Sequence, residues 1–239
     1  MRILKGSGNY LRKQTLKNLA KAIAFLLLLS GIGLFLFFRL LTASVGILEE
    51  ALAVAALAPL AGFFIYLRKY HVYLGGWNGE KRVSHLLRST LNDDYFLMNS
   101  VNFRDGHSDV DHVVLGPNGV FALETKNWSG KIACNGDKWQ RPDGPRSATS
   151  PSEQAKRNAI RVRHAIEGSK KLSFNVWVEP IVVFTNSRTE LYLNSPTVSI
   201  LKLSQLPSYI TAHQNRYGSH AYTEQQLELM GKEIAKQSR

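Results

Sequence analysis

Asp111, Glu124 and Lys126 are the residues of this chain whose types and spacing could do chemistry. They lie in 108–129, SDVDHVVLGPNGVFALETKNWS, where two short apolar, β-branched runs flank Gly116, Pro117, Asn118 and Gly119. Such runs around a Gly/Pro/Asn cluster predict a β-hairpin whose glycines supply the positive-φ positions of its turn. Side chains alternate along a strand, so Glu124 and Lys126 share one face while Thr125 takes the other. With the turn centred on Pro117 and Asn118, position 111 falls opposite position 124, and the two carboxylates become cross-strand neighbours about 5 Å apart at Cβ. Two like charges so placed destabilise the pair unless something positive joins them. A divalent cation is the natural remedy: Mg²⁺ takes oxygen ligands and usually only one or two protein carboxylates, which leaves room for a phosphate and a water. Lys126, one pleat along, could orient that water or stabilise charge developing on the phosphate.

An aspartate followed by Glu-x-Lys on the next strand resembles the PD-(D/E)xK, or restriction-endonuclease-like, nucleases. With Gly79-Glu80 opening a helix and with Pro151-Ser152-Glu153-Gln154 further on, the chain is similar to the NERD family, the nuclease-related domain, over roughly 77–210. The resemblance implies an α/β fold, a restriction-endonuclease-like mixed central sheet flanked by helices. It implies Asp111, Glu124 and Lys126 as the catalytic core, Asp111 and Glu124 as ligands of Mg²⁺ (or Mn²⁺), Glu80 and Gln154 as helix-borne helpers, and nucleic acid, DNA first, as substrate. Asp109 shares a strand face with Asp111 in DVDH, so either acid could be the ligand; the pairing and the family spacing both favour Asp111.

The bland alternative is a solvated cross-strand ion pair. Against it stands the continuous apolar character of both strands, which predicts a hairpin covered on both faces. A zinc cluster of His107, Asp109, Asp111 and His112 is disfavoured because His112 must face away from Asp111 on a strand.

The elements that must position these residues follow an unusual N-terminal part. Residues 22–38 and 51–67 are two runs of 17 without a charge, AIAFLLLLSGIGLFLFF and ALAVAALAPLAGFFIYL, at the lower length limit for crossing a bilayer. They predict a two-helix transmembrane hairpin ahead of the α/β domain. Arg2, Lys5, Arg12, Lys13, Lys17 and Lys21 precede the first run, Arg68 and Lys69 follow the second, and only Arg39 lies between. The positive-inside rule then sends both termini to the cytoplasm, and a cleaved signal peptide is the weaker reading because a second span follows. Residues 1–76 carry 9 Lys and Arg against 2 acids, so +7 of the total +12 belongs to the membrane end. That charge suits anionic lipid and says little about DNA. The single Cys134 fits a reducing compartment and reads as an inert thiol.

The expected organisation is a basic segment 1–21, transmembrane helices within 22–67, a linker 68–78 containing the glycines of 75–79, a nuclease-like domain 79–212 and a helical extension 213–239. The glycines of 75–79 lack the preceding strand and the spacing of a phosphate loop. Glu80 stands in the first turn of a helix over 80–88, where it either complements the helix dipole or points at the metal. Residues 95–103 predict a strand, 131–133 a short one and 136–151 a long loop; Asn127-Trp128-Ser129 is a formal glycosylation acceptor that a cytoplasmic domain would not use. Ser150, Pro151 and Glu153 form a helix start signal, and Gln154, Arg157, Arg161 and His164 share one face of that helix over 151–167. Gln154 could reach the site while Arg157 and Arg161 hold backbone phosphates. Residues 176–185 predict a buried strand with Pro180 at an edge or bulge. Residues 191–193 and 198–203 predict short strands, 204–210 a short helix, and 223–235 an amphipathic helix burying Leu227, Met230 and Ile234. The function expected is a membrane-anchored, metal-dependent nuclease. Its competitors are a noncatalytic nucleic-acid- or protein-binding module on the same fold and a membrane-organising protein whose hairpin is its main function.

Overall fold

The computed structural model describes residues 1–6, 8–42, 46–104, 109–141, 149–168, 175–214 and 221–238. In chain order the elements are β1 (Arg2–Lys5), α1 (Tyr10–Leu41), α2 (Ile47–Ala55), α3 (Leu57–Thr90), β2 (Phe96–Val101), β3 (Val110–Gly116), β4 (Gly119–Lys126), β5 (Gly130–Asn135), β6 (Lys138–Gln140), α4 (Pro151–Glu167), β7 (Val178–Phe184), β8 (Thr189–Asn194), β9 (Ser199–Lys202), α5 (Leu206–Ala212) and α6 (Glu224–Gln237). They form two compact units, one of Met1–Gly8 with Asn78–Arg239 and one of Asn9–Trp77.

The first unit is mixed α/β. Its main sheet has the order β1-β2-β3-β4-β7-β9, antiparallel at β2-β3-β4 and parallel at β1-β2, β4-β7 and β7-β9. β3 and β4 sit in its centre and are buried along almost their whole length, as their unbroken apolar runs predict. One face carries Met98, Val113, Leu115, Val120 and Ala122 against α4 and α6, with Leu227, Met230 and Ile234 inward. The other carries Leu97, Val114, Phe121 and Leu123 against Val83 and Leu87 of α3 and Leu206 and Ile210 around α5. A smaller sheet, β6-β5-β8, packs Ile132 and Cys134 near Trp128, Trp139 and Phe184.

The hairpin turn differs from expectation in one respect. Gly116 pairs with Gly119 across a two-residue loop, but none of its residues has positive φ. The glycines serve close approach instead: a Cβ on Gly116 would lie 2.3 Å from the Tyr95 ring. Asn118 supplies the missing rigidity, donating to the backbone oxygens of Ile210, Thr211 and His213 and accepting from the Tyr95 hydroxyl at 3.1 Å.

Two further expectations are corrected. The glycines of 75–79 lie within α3, so Glu80 is interior to a helix and not in a first turn. Glycine costs a helix about 1 kcal/mol, yet a Cβ on Gly79 would lie 2.9 Å from Thr185 Oγ1 and 3.4 Å from Thr125 Cγ2. Its absence lets α3 press onto the strand ends. Residues 2–5 also belong to the sheet: β1 pairs in parallel with β2, the Met1 amine donates to Asp93 Oδ1 at 2.7 Å, and the Arg2 guanidinium stacks 4.2 Å from the Phe96 ring centre. Pro180 lies in an internal strand, but β9 pairs with β7 only from Ile181 onward, which leaves an open side at the proline.

In the second unit, α1 and the first part of α3 run antiparallel, with Leu11 beside Gly76 and Phe25 beside Gly62. The break before α3 follows from Pro59, which cannot donate to the carbonyl four residues back. Both helical segments are long and apolar enough to cross a membrane, and their apolar windows are 0% and 6% buried. The Arg39 Nε to Glu49 Oε1 pair at 2.7 Å joins the charges between the two runs.

Candidate active site

The register of β3 and β4 sets Asp111 and Glu124 as the next pair beyond His112 and Leu123, as the position count predicts. The backbone ladder stops there, and the Asp111 carboxylate takes over: its Oδ2 accepts the Thr125 N–H at 2.6 Å. On the other side of β3, Asn99 pairs with His112 and Val101 with Val110, while Ser100 stands across from Asp111. Ser100 has φ +49, and its Oγ accepts the Gly8 N–H at 2.9 Å. A non-glycine residue in the left-handed region costs about 1–3 kcal/mol, a strain that concentrates at functional sites.

Glu124 is 2% exposed. Its Oε1 accepts Lys126 Nζ at 2.6 Å and its Oε2 accepts Asn158 Nδ2 at 3.0 Å. Lys126 Nζ donates in addition to Gln154 Oε1 at 3.0 Å. The hairpin and α4 therefore meet in a chain Gln154–Lys126–Glu124–Asn158. Thr125 faces the Gly79 side, as alternation requires.

Burial is the first cause that raises the carboxyl pKa at Glu80, Asp111 and Glu124. At Asp111 the charges of Glu124 and Glu80 add to it. At Glu80 burial, with the charges of Glu124 and Asp109 added, pushes the carboxyl up to about 7. At Glu124 the Lys126 ammonium, Arg157 and Asn158 oppose the rise. Burial also raises Asp109, against Lys5 and Arg161. Four acids thus converge on one end of the hairpin, and each resists ionisation in the present surroundings.

Of the helix face read from the sequence, Gln154 reaches the site. Arg157 and His164 are exposed. Arg161 is half-buried, with its guanidinium 4.9 Å from the Phe103 ring centre and Nη1 donating to Asn158 Oδ1 at 3.4 Å. Asn158 was missed. It lies one helical turn beyond Gln154, and that i,i+4 spacing was the available signal, but its place among Ala155, Ala159 and Val162 hides it in an apolar stripe. His112 stands apart, its Nδ1 2.7 Å from Asn99 Oδ1 and its pKa pushed down to about 3 by burial. His107 lies outside the described residues.

Among the described residues no three His, Cys, Asp or Glu side chains already form a metal cage. The donor chemistry nevertheless fits a hard divalent cation: Asp111 and Glu124 offer carboxylate oxygens, no thiolate or imidazole among the described residues competes, and positive charge is what the raised acids lack.

A helix-borne acid and amide thus close on an acid pair and a lysine at the end of a covered hairpin. Residues 75–185 match the NERD family, the nuclease-related domain. The matched segment holds Glu80, Asp111, Glu124, Lys126, Gln154 and Asn158, and so the whole acid–lysine–amide constellation. An uncharacterized protein of Bacillus anthracis is 31% identical over 86 residues, covering 35% of this chain. The chain spans 39% of that relative's length. No solved structure matches.

Proposed function

We propose that this chain is a membrane-anchored, metal-dependent nuclease that hydrolyses phosphodiester bonds of nucleic acid, DNA in the first instance. The observation that carries the reading is the buried Glu124–Lys126 pair beside Asp111, within the segment that matches NERD. Asp111 and Glu124 would hold Mg²⁺ (or Mn²⁺), which when bound supplies charge to the scissile phosphate and acidity to a water. Glu80 offers a further carboxylate from α3, and Thr125 N–H and Asn158 orient the two ligands. Lys126, steered by Gln154, presents its ammonium to the attacked phosphate, where a preorganised cation stabilises developing negative charge. Arg157, exposed beside the site, and Arg161 provide cations for backbone phosphates, contacts that add affinity without sequence preference.

The two apolar helical segments serve in this reading as the anchor. The excess of basic residues outside the runs directs the nuclease unit to the cytoplasm of a multi-pass membrane protein. A second reading, a noncatalytic module that binds nucleic acid or protein, is favoured by one observation: both Glu124 oxygens are engaged by side chains, Oε1 by Lys126 and Oε2 by Asn158.

The test is cleavage by the detergent-solubilised full chain, on single-stranded, double-stranded and branched DNA and on RNA, with Mg²⁺ or Mn²⁺ titrated. Metal-dependent cleavage that falls by about 100-fold or more in Glu124→Ala and Lys126→Ala, with circular dichroism unchanged, is the expected result. A folded chain inert on all substrates with either metal would leave the binding module.

A further inference from the structure

Lys17 and Lys21 of α1 and Arg68 and Lys69 of α3 line one pocket of about 590 Å³ together with Tyr66 and Gln14. All of these residues lie inside the unit Asn9–Trp77. Neither 9–21 nor 51–77 contains an acid, so no carboxylate on these segments neutralises the four cations. At the far end of the same helices the single Arg39 is paired with Glu49 at 2.7 Å, which shows what the pocket lacks. Two of the cations, Lys21 and Lys69, nevertheless share one ring. Lys21 Nζ lies 4.8 Å from the Tyr66 ring centre and 3.5 Å from its hydroxyl, and Lys69 Nζ lies 5.3 Å from the same ring centre. Like charges gathered around one phenol repel one another unless an anion joins them.

The position of the pocket selects the anion. Lys21 immediately precedes the uncharged run 22–38, and Arg68 immediately follows 51–67. The run 22–38 lies wholly in α1 and rises roughly 25 Å as a helix, close to the thickness of a bilayer core, while 51–67 is shared between α2 and α3; the pocket lies at the charged end of both runs, where headgroups would stand. Basic pockets between membrane helices are a recurrent way of holding acidic headgroups. Tyr66 and Tyr73, which also line the pocket, have the amphipathic character suited to that depth.

We propose that this pocket binds the phosphate group of an anionic phospholipid, with Lys17, Lys21, Arg68 and Lys69 as its cations and the Tyr66 hydroxyl as an additional polar contact. The inference rests on the membrane reading above and is independent of the nuclease chemistry.

The test uses the full chain in dodecyl maltoside, followed by thermal unfolding and native mass spectrometry with added phosphatidylglycerol, phosphatidylcholine or inorganic phosphate. Phosphatidylglycerol should raise the unfolding midpoint saturably and remain bound one per chain, while phosphatidylcholine does neither. Lys21→Gln with Arg68→Gln should weaken that binding by about 10-fold or more, whereas Arg12→Gln with Lys13→Gln, which removes equal charge from α1 outside the pocket, should preserve it. Equal response to both lipids, or equal loss in both double variants, overturns the site. The same shift with millimolar inorganic phosphate alone keeps the phosphate site and overturns the lipid as its source. Resistance of the Lys21/Arg68 variant to carbonate extraction from membranes separates loss of the pocket from failure of the anchor.

Discussion

Glu124 is held by one cation and one amide, and the amide is the more informative partner. Lys126 balances its charge, but Asn158 fixes the direction of Oε2 from inside the core. Asn158→Ala leaves that buried oxygen without a donor and should lower stability by about 1–3 kcal/mol, read as a lower unfolding midpoint. On the proposed metal-ligand role of Glu124, a group orienting that ligand contributes typically about 10–100-fold, so cleavage by the folded variant should fall by about that factor, with Mg²⁺ half-saturation shifted upward. Unchanged cleavage and metal dependence would limit Asn158 to packing. The placement of Asp111, Glu124 and Lys126 on the hairpin was legible because strand alternation and the hairpin count are geometric rules. The Asn158 bond was not, because helix periodicity tells which residues are buried and not which of them meets a carboxylate. Nor could the sequence reveal that Asp111 uses an oxygen to cap the Thr125 N–H.

The hairpin, α3 and α4 converge because of small residues that a periodicity reading treats as punctuation. Gly116 was read as a turn glycine needing positive φ, but its function is to let the Tyr95 ring lie against the backbone. Gly116→Val should therefore cost about 1–3 kcal/mol through overpacking, seen as a lower thermal midpoint. If Tyr95→Ala restores the Gly116→Val variant relative to Tyr95→Ala alone, the clash is the cause. Gly79 illustrates the same confusion. Glycine-rich composition argues for a linker, and only the tertiary contact with Thr125 and Thr185 reveals a helix that needs a bare Cα to approach the strands. By contrast, α4 was legible from its start signal and α6 from its apolar stripe, and both begin on a side-chain cap. Ser150 accepts the Glu153 N–H at 3.4 Å, and Thr223 exchanges bonds with Gln226 at 2.8 and 3.3 Å, local chemistry that the sequence carries in full.

At the scale of the whole molecule, topology adds what charge does not show. Arg2 and Lys5, counted among the basic residues before the first apolar run, are also the two ends of a four-residue strand too short to announce itself. Deletion of residues 2–5 exposes the edge of β2 and removes the Arg2 stacking on Phe96, so the full chain in detergent should lose roughly 2–4 kcal/mol of stability, measured by chemical unfolding. An unchanged unfolding curve would mean that β1 contributes little. For the same reason a fragment beginning at residue 78 is a poor substitute for the chain, because it lacks an edge of its own sheet.

That first strand also carries a parity argument. β1 and β2 are neighbours in one sheet, yet both apolar helices are threaded between them in the chain. A path that starts and finishes in the same folded body must come back to the compartment it left. Any entry of the intervening helices into a bilayer has to be matched by an exit, and an odd number of crossings is forbidden by connectivity alone, whatever the distribution of lysines.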